Sequence, residues 1–171
     1  MTRRKMDMVR YFAHGLEFFI LYLLGQTPFF FPGIEGVRPV PLMAAALAVA
    51  MFEQELPAMA FGIAAGVLID FGMGSVMGFH AGLLAILCFL VSWLCRNLLR
   101  VNFLTCAAVT LVGTAALCCL QWVFFHWMAG QPGALHILVR YVLPQAAYSA
   151  FFCVFAYPVA RALFNATAVE S

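Results

Sequence analysis

The lack of charge is the property that most limits how this chain can fold. Only 9% of its 171 residues are charged and 65% are hydrophobic, whereas about one quarter of the residues in a soluble domain are charged. Nine basic and seven acidic side chains cannot cover the surface of a water-soluble protein of this length. The sequence therefore predicts a single integral membrane domain over residues 1–171.

Six apolar segments are candidates for helices that cross a bilayer, which takes about 20 residues. They run approximately from Tyr11 to Phe31, Pro39 to Phe52, Pro57 to between Asp70 and Met77, Phe79 to Leu94, Phe103 to Met128, and Leu135 to Phe164. The second and third are short, and Glu53 and Glu55 between them would cost about 2.5 kcal/mol or more each in hydrocarbon. We therefore expect an all-α polytopic bundle of about six transmembrane helices, in which segments two and three form a short recessed hairpin. Five crossings are the alternative.

The basic residues predict which ends of the helices face the cytoplasm, because positive charge is enriched on that side. With six crossings and a cytoplasmic N-terminus, Arg38 and Arg140 lie outside and seven basic residues lie inside. The seven are Arg3, Arg4, Lys5, Arg10, Arg96, Arg100 and Arg161. We expect the first segment to be retained as a span, since no small-residue cleavage site follows it. A net charge of +2, with no long basic run after MTRRK, argues against nucleic acid as a partner.

Glycines recur every fourth residue in the third segment. The stretch GIAAGVLIDFGMGSVMGFHA places Gly62, Gly66, Asp70, Gly74 and Gly78 four positions apart. Residues with this spacing lie near one face of a helix, and glycines there let a neighbouring backbone approach closely. We expect these five residues to form a helix-packing or partner-binding surface. Each step of four overshoots a turn by about 40°, and the glycines of FGMGS predict that the helix ends or unwinds there.

Asp70 has two interpretations. An Asp at the centre of a span costs on the order of 3 kcal/mol and needs a partner, a proton or water, which would suit an ion or substrate ligand, a proton carrier or an anchor for a partner. Near the end of the helix it would instead fix the turn as a cap. Elsewhere, His14 and Glu17 are spaced to pair across one helical turn, to serve a pathway, or to snorkel to the headgroups. His80 is expected to form an interhelical hydrogen bond.

Signatures of an enzyme are absent from the sequence. Phosphate-binding loops, HExxH, GxSxG and DxD-type metal motifs do not occur. We therefore predict no catalytic residues, no metal ligands and no cofactor, and a protein that is not an enzyme.

One combination of features resembles a known family. The stretch RPVPLMAAALAVAMFEQELPAMAFGIAAGVLIDFGMGSVMGFHAGLLAILCFLVSWLCRNLLRVN contains an Arg-Pro entry to a short span, an acidic break, the G-x-x-x-G-x-x-x-D-x-x-x-G-x-x-x-G ladder and an apolar span ending in arginines. It resembles MreD, the small membrane protein of the bacterial rod-shape system, over about residues 38–163. Cys88 and Ser92 stand where members often carry small residues or glycine.

The resemblance implies a non-enzymatic scaffold in the bacterial cytoplasmic membrane that binds MreC. It further implies direct or indirect links to MreB and to the elongation synthases, a SEDS glycosyltransferase and a class B penicillin-binding protein. In that case segments two to four, around the glycine ladder and Asp70, would present a recessed surface, amid membrane lipid, to the transmembrane helix of MreC or to synthases of the same complex. The alternative is the substrate-binding subunit of an energy-coupling-factor vitamin transporter. The bulky first segment, LEFFILYLL, disfavours it, because such subunits dock through small residues in that span.

Overall fold

The computed structural model describes residues 3–27, 40–73, 77–99, 101–128, 136, 139–140 and 143–168. The helices within these ranges are α1 (Arg3–Gln26), α2 (Pro41–Phe52), α3 (Glu55–Met73), α4 (Phe79–Asn97), α5 (Phe103–Trp122), α6 (Leu143–Phe151) and α7 (Cys153–Ala168). A π-helical turn, Val123–Trp127, continues α5. All regular structure in the described residues is helical, which confirms the all-α prediction.

Helix α2 forms the centre of the bundle. Its residues from Pro41 to Met51 are buried without exception, and it contacts each of the other six helices. Five of these residues are alanines, which let the neighbouring helices approach α2 closely from several directions. A helix that is apolar on every face has to be enclosed, and α2 is enclosed by protein.

The two ends of α2 are tied to neighbouring helices by serine hydroxyls. The backbone N–H of Val40 donates to Oγ of Ser149 on α6 at 2.9 Å. At the other end, Oγ of Ser92 on α4 donates to the carbonyl oxygen of Glu53 at 2.7 Å. These bonds satisfy backbone groups that flank a helix and have no partner within it.

Four helical stretches are long and apolar enough to cross a membrane. They are Glu55–Met73, Phe79–Asn97, Phe103–Phe125 and Leu143–Ala166, the last comprising α6 and α7. This confirms a multi-span membrane protein, but it does not confirm the predicted count of six. With 12 residues, α2 is about 18 Å long against a hydrocarbon core of about 30 Å, and α1 contains Arg10, His14 and Glu17, which lower its hydropathy.

The surface of the bundle is apolar even where the helix carries charge. On α1, the exposed side chains include Phe12, Leu16 and Phe19, whereas His14 is buried. This arrangement is the reverse of a surface helix in a soluble protein, where the apolar face points inward. The exposed face of α1 is thus apolar, as expected of a helix that borders lipid.

The predicted short hairpin is correct for its first arm only. Helix α2 is short and recessed, but α3 begins at Glu55, only two residues after α2, and extends over 19 residues. The sequence analysis placed this helix start at Pro57. The helix begins earlier because proline is tolerated in the first turn, where its missing N–H would have no helical partner.

Contacts between helices define two ends of the bundle. At one end, which we call the Arg10 end, Phe52 contacts Phe164 and Phe103 contacts Tyr157. At the other, the Asp70 end, α3 turns back into α4. Helix α1 runs antiparallel to α2, since Gly25 lies beside Pro41 at the Asp70 end.

A buried ion pair joins α1 to the α2–α3 turn at the Arg10 end. Nε of Arg10 lies 2.7 Å from Oε1 of Glu53, and a terminal nitrogen of Arg10 donates to Oε2 at 3.1 Å. The Glu53 side chain is 1% exposed. The sequence analysis expected Glu53 in a loop between two segments, and the structure places it at a junction of three helices, with Ser92 on α4 bound to its carbonyl.

Candidate functional site

The glycine ladder begins as a contact between two helices of this chain. A Cβ atom added at Gly62 would lie 2.7 Å from the carbonyl oxygen of Leu84, and one added at Gly66 would overlap the backbone of Ala81. The missing side chains therefore make room for α4. The expected helix-packing role thus falls within the chain, and the face of Gly62 and Gly66 is occupied, so it does not offer a place for a foreign helix.

The last two glycines of the ladder differ from the first two. Gly74 lies outside the described residues. Gly78 immediately precedes α4 and has φ +94°, in the left-handed region that side chains disfavour. A Cβ there would meet nothing within 4 Å, so the backbone conformation of the turn, rather than packing, calls for glycine at this position.

Asp70 caps the helix that follows its own. Its carboxylate accepts hydrogen bonds from the backbone N–H of Gly78 at 2.8 Å and of His80 at 3.2 Å. The first N–H groups of a helix lack helical partners and favour negative charge. Because Asp70 is 2% exposed and lies in the last turn of α3, this cap fastens the α3–α4 turn from inside the protein.

His80 completes the first acid–histidine pair. Its Nδ1 lies 2.7 Å from Oδ1 of Asp70, and both side chains are 1% exposed. A carboxylate accepts hydrogen bonds, so Nδ1 of His80 is the donor in this contact. Among the described residues no hydrogen-bond partner reaches Nε2 of His80. The interhelical hydrogen bond expected of His80 is present, but the sequence analysis did not identify Asp70 as its partner.

A second acid–histidine pair lies on α1. Nδ1 of His14 is 3.1 Å from Oε2 of Glu17, the residue three positions later. His14 is 1% exposed and packs edge-on against the ring of Phe61, at 5.5 Å. Of the expected arrangements, pairing is the one observed. The pair lies further from the Arg10 end of the bundle than Arg10 does. Glu17 is seven residues further along α1, which corresponds to about 10 Å.

Glu17 lines a groove between α1 and α7, which we call the α1–α7 groove. Its volume is about 650 Å³, and its walls include Ala13, Leu16 and Glu17 on α1 and Phe155, Val159 and Ala162 on α7. Apart from the carboxylate, the side chains lining this groove are apolar. The groove opens on the outer surface of the bundle, where the exposed side chains of α1 are also apolar.

A smaller recess, which we call the glutamine recess, lies at the Asp70 end. Its volume is about 330 Å³, and its walls include Tyr22, Gln26, Pro41 and Gln145. Gln26 lies against Gly72, where a Cβ atom would overlap its side-chain amide. The described walls thus offer two amides and a phenol as hydrogen-bonding groups, and they carry no charged side chain.

Two of the described acids, Asp70 and Glu17, are each paired with a histidine. In the described parts of the chain, no three His, Cys, Asp or Glu side chains converge to hold a metal ion. Asp70 is engaged by backbone donors and by His80, which suits an architectural role. Glu17 differs, because its carboxylate borders a groove that is open to the surroundings.

No protein-family model, curated protein or solved structure matches the chain. The resemblance to MreD therefore rests on residues of the sequence.

Replacing Gly66 by alanine should destabilise the protein by about 1–3 kcal/mol, the usual cost of overpacking, because the new methyl group meets the backbone of α4. Gly82, on the same helix pair, is the matched control. A Cβ there meets nothing within 4 Å, so Gly82→Ala should be neutral or stabilising by up to about 1 kcal/mol. SDS-induced unfolding of the micelle-bound protein measures both changes. Equal effects would contradict the assigned α3–α4 contact.

Asp70 and His80 should behave as one unit in a double-mutant cycle. Asp70→Asn and His80→Gln should each lower the free energy of unfolding by about 1.5–3 kcal/mol, the range for hydrogen bonds to charged groups. The double variant should lose less than the sum, with a coupling of about 1 kcal/mol or more. The same unfolding assay gives all four values. Strictly additive losses would mean that the two side chains do not interact.

Proposed function

We propose that the chain is a non-enzymatic scaffold of the bacterial rod-shape complex, and that it binds MreC in the cytoplasmic membrane. The observation that carries this proposal is the use made of Asp70, the acid at the centre of the conspicuous motif. Its carboxylate accepts hydrogen bonds from the first N–H groups of α4, so the motif stabilises the fold of the bundle. A structural role for the motif fits a protein that acts as a scaffold for other proteins.

The resemblance supplies the identity of the partners. It extends over about residues 38–163 and joins the glycine ladder to the order of the apolar segments. On this proposal MreC binds directly, whereas MreB, the SEDS glycosyltransferase and the class B penicillin-binding protein are linked to it directly or indirectly. Six crossings, a cytoplasmic N-terminus and a cytoplasmic Arg10 end belong to the same proposal.

The distribution of charge supports this orientation. Two further basic residues lie at the same end of the bundle as Arg10. They are Arg96, in the last turn of α4, and Arg161, on α7. Arg140 precedes α6, on the opposite side of the bundle. Positive charge concentrates on the cytoplasmic side of membrane proteins.

A second candidate function is favoured by the glutamine recess. Its volume of about 330 Å³ and its uncharged hydrogen-bonding walls suit a small polar molecule. A substrate-binding subunit of an energy-coupling-factor transporter needs a binding site for a small molecule of this kind. The bulky apolar surface of α1 disfavours this candidate, since docking of that kind uses small residues.

Co-purification tests the proposed function against this alternative. The tagged chain, extracted from membranes of cells that also produce MreC, should retain MreC, and cells depleted of the chain should lose their rod shape. The purified chain should show no change in melting temperature with vitamins. Failure to retain MreC would overturn the scaffold proposal, and a vitamin-dependent rise in melting temperature would favour transport.

Cysteine labelling tests the orientation. Gln54 and Met77 are both exposed, and they lie at the Arg10 end and the Asp70 end respectively. A membrane-impermeant maleimide should label Met77→Cys in intact cells and Gln54→Cys only after the membrane is opened. The parent chain is the control, because five of its six native cysteines are buried. The opposite labelling pattern would place the N-terminus outside.

A further inference from the structure

The position of Glu17 along the helical bundle is unusual for a carboxylate in a membrane protein. It lies about 10 Å beyond Arg10, and Gly25, beside the first residue of α2, is about 12 Å further on. Glu17 is therefore halfway along the central helix, at mid-depth in the bundle. Acidic residues at the centre of a transmembrane helix are energetically costly and mark functional positions.

The hydrogen bonding of Glu17 is incomplete within the described residues. Oε2 accepts from His14 at 3.1 Å, and no donor in the described part of the chain reaches Oε1. The side chain is 13% exposed, and its open side faces the α1–α7 groove. Oε1 is therefore exposed to the groove, and a carboxylate oxygen that faces an apolar groove without a hydrogen-bond donor is unfavourable. A donor arriving through the groove would remove that cost.

We propose that the α1–α7 groove receives one transmembrane helix of a partner protein, and that this helix places a hydrogen-bond donor against Oε1 of Glu17. The inference rests on the proposed scaffold function and gives it a location. The glycine face of α3 is occupied by α4, so this inference places the partner in the α1–α7 groove instead. Small residues on both walls, Ala13 and Ala162, allow a helix to approach closely.

The need for a hydrogen-bond donor at mid-depth favours a protein helix over a lipid as the occupant of the groove. An acyl chain carries no donor, and headgroup donors lie at the surfaces of a hydrocarbon core about 30 Å thick, away from mid-depth. A helix can present a serine, threonine, asparagine or basic side chain at any depth, and such residues hydrogen-bond across helices in membranes.

A second copy of this chain that docks through its own α1 and α7 faces does not meet the same requirement. The exposed side chains near the middle of α1 are Leu16, Phe19 and Ile20, and those on the membrane side of α7 include Phe155 and Val159. These side chains contain no donor. Two copies joined through these faces would supply no hydrogen-bond donor to Oε1 of either Glu17.

The bundle contains a second groove that serves as an internal control. It lies between α4 and α5, has a volume of about 460 Å³, and its walls include Leu90, Ala108 and Val112. No ionisable side chain lines it. The two grooves resemble each other in size and apolar character, and they differ in the presence of Glu17.

Site-directed photo-crosslinking tests the inference. A photoreactive phenylalanine analogue replaces Leu16 in the α1–α7 groove or Leu90 in the control groove, and these residues are 51% and 49% exposed. Irradiation of membranes that contain tagged MreC should give an MreC adduct at Leu16 and little at Leu90. Glu17→Leu should lower the adduct yield by about tenfold, the effect of losing one hydrogen bond to a charged group. Glu17→Gln, which keeps an acceptor, should lower it less.

Filling the grooves gives an independent measurement that does not depend on Glu17. Ala162 and Ala108 are both exposed, so a tryptophan at either position can be accommodated by the fold. Ala162→Trp should abolish co-purification of MreC, and Ala108→Trp should leave it unchanged.

The outcomes separate this inference from the proposed function. Adducts at Leu16 with lipid alone or with a second copy of the chain, equal MreC adducts at both positions, or MreC retained by Ala162→Trp would each overturn the groove assignment while the scaffold function stands. An unmodified chain that retains no MreC overturns the scaffold function, and the groove assignment with it.

Discussion

A helix too short to cross a bilayer has to be enclosed by protein, and the rest of this fold is arranged around that requirement. Lipid could cover the apolar sides of α2, but it offers nothing to the backbone groups at the helix ends. Those groups lie within the thickness of the membrane because α2 is about 18 Å long. The serines on α6 and α4 that bind Val40 and Glu53 supply what lipid cannot.

The same reasoning accounts for the buried charges of the described core. Asp70 satisfies the first N–H groups of α4, and Arg10 neutralises Glu53 beside the last turn of α2. Removing one member of a buried pair strands the other, whereas the complete pair fixes which helices meet. Charge in this protein therefore specifies helix junctions. Glu17 departs from this pattern, because only one side of its carboxylate is used within the described chain.

Much of the fold follows from the sequence because helix length and hydropathy are local properties. The bounds of α4 and α5, and the end of α2 at Phe52, match the apolar segments closely. The ladder spacing correctly indicated that a backbone lies close to Gly62 and Gly66. The spacing could not indicate whether that backbone belongs to α4 or to a helix of another protein, because either one would require small residues on the glycine face.

The contacts that define the candidate site were harder to predict. Asp70 and His80 are ten residues apart across a glycine turn, so a helical hairpin could have suggested their contact. Arg10 and Glu53 are 43 residues apart, and no local pattern links them. Nor did the sequence show that α2 is central and α3 peripheral, because both segments are strongly apolar and burial in a membrane leaves little trace in hydropathy.

The short central helix has an electrical consequence. Helix α3 is about 28 Å long and α2 about 18 Å, so α2 is roughly 10 Å shorter than its neighbour, and the amide-lined recess lies at its Pro41 end. If water fills this recess, that water carries almost none of a membrane voltage. The voltage would then fall mainly across the layer that α2 forms, and the field along this helix would exceed that in the surrounding lipid.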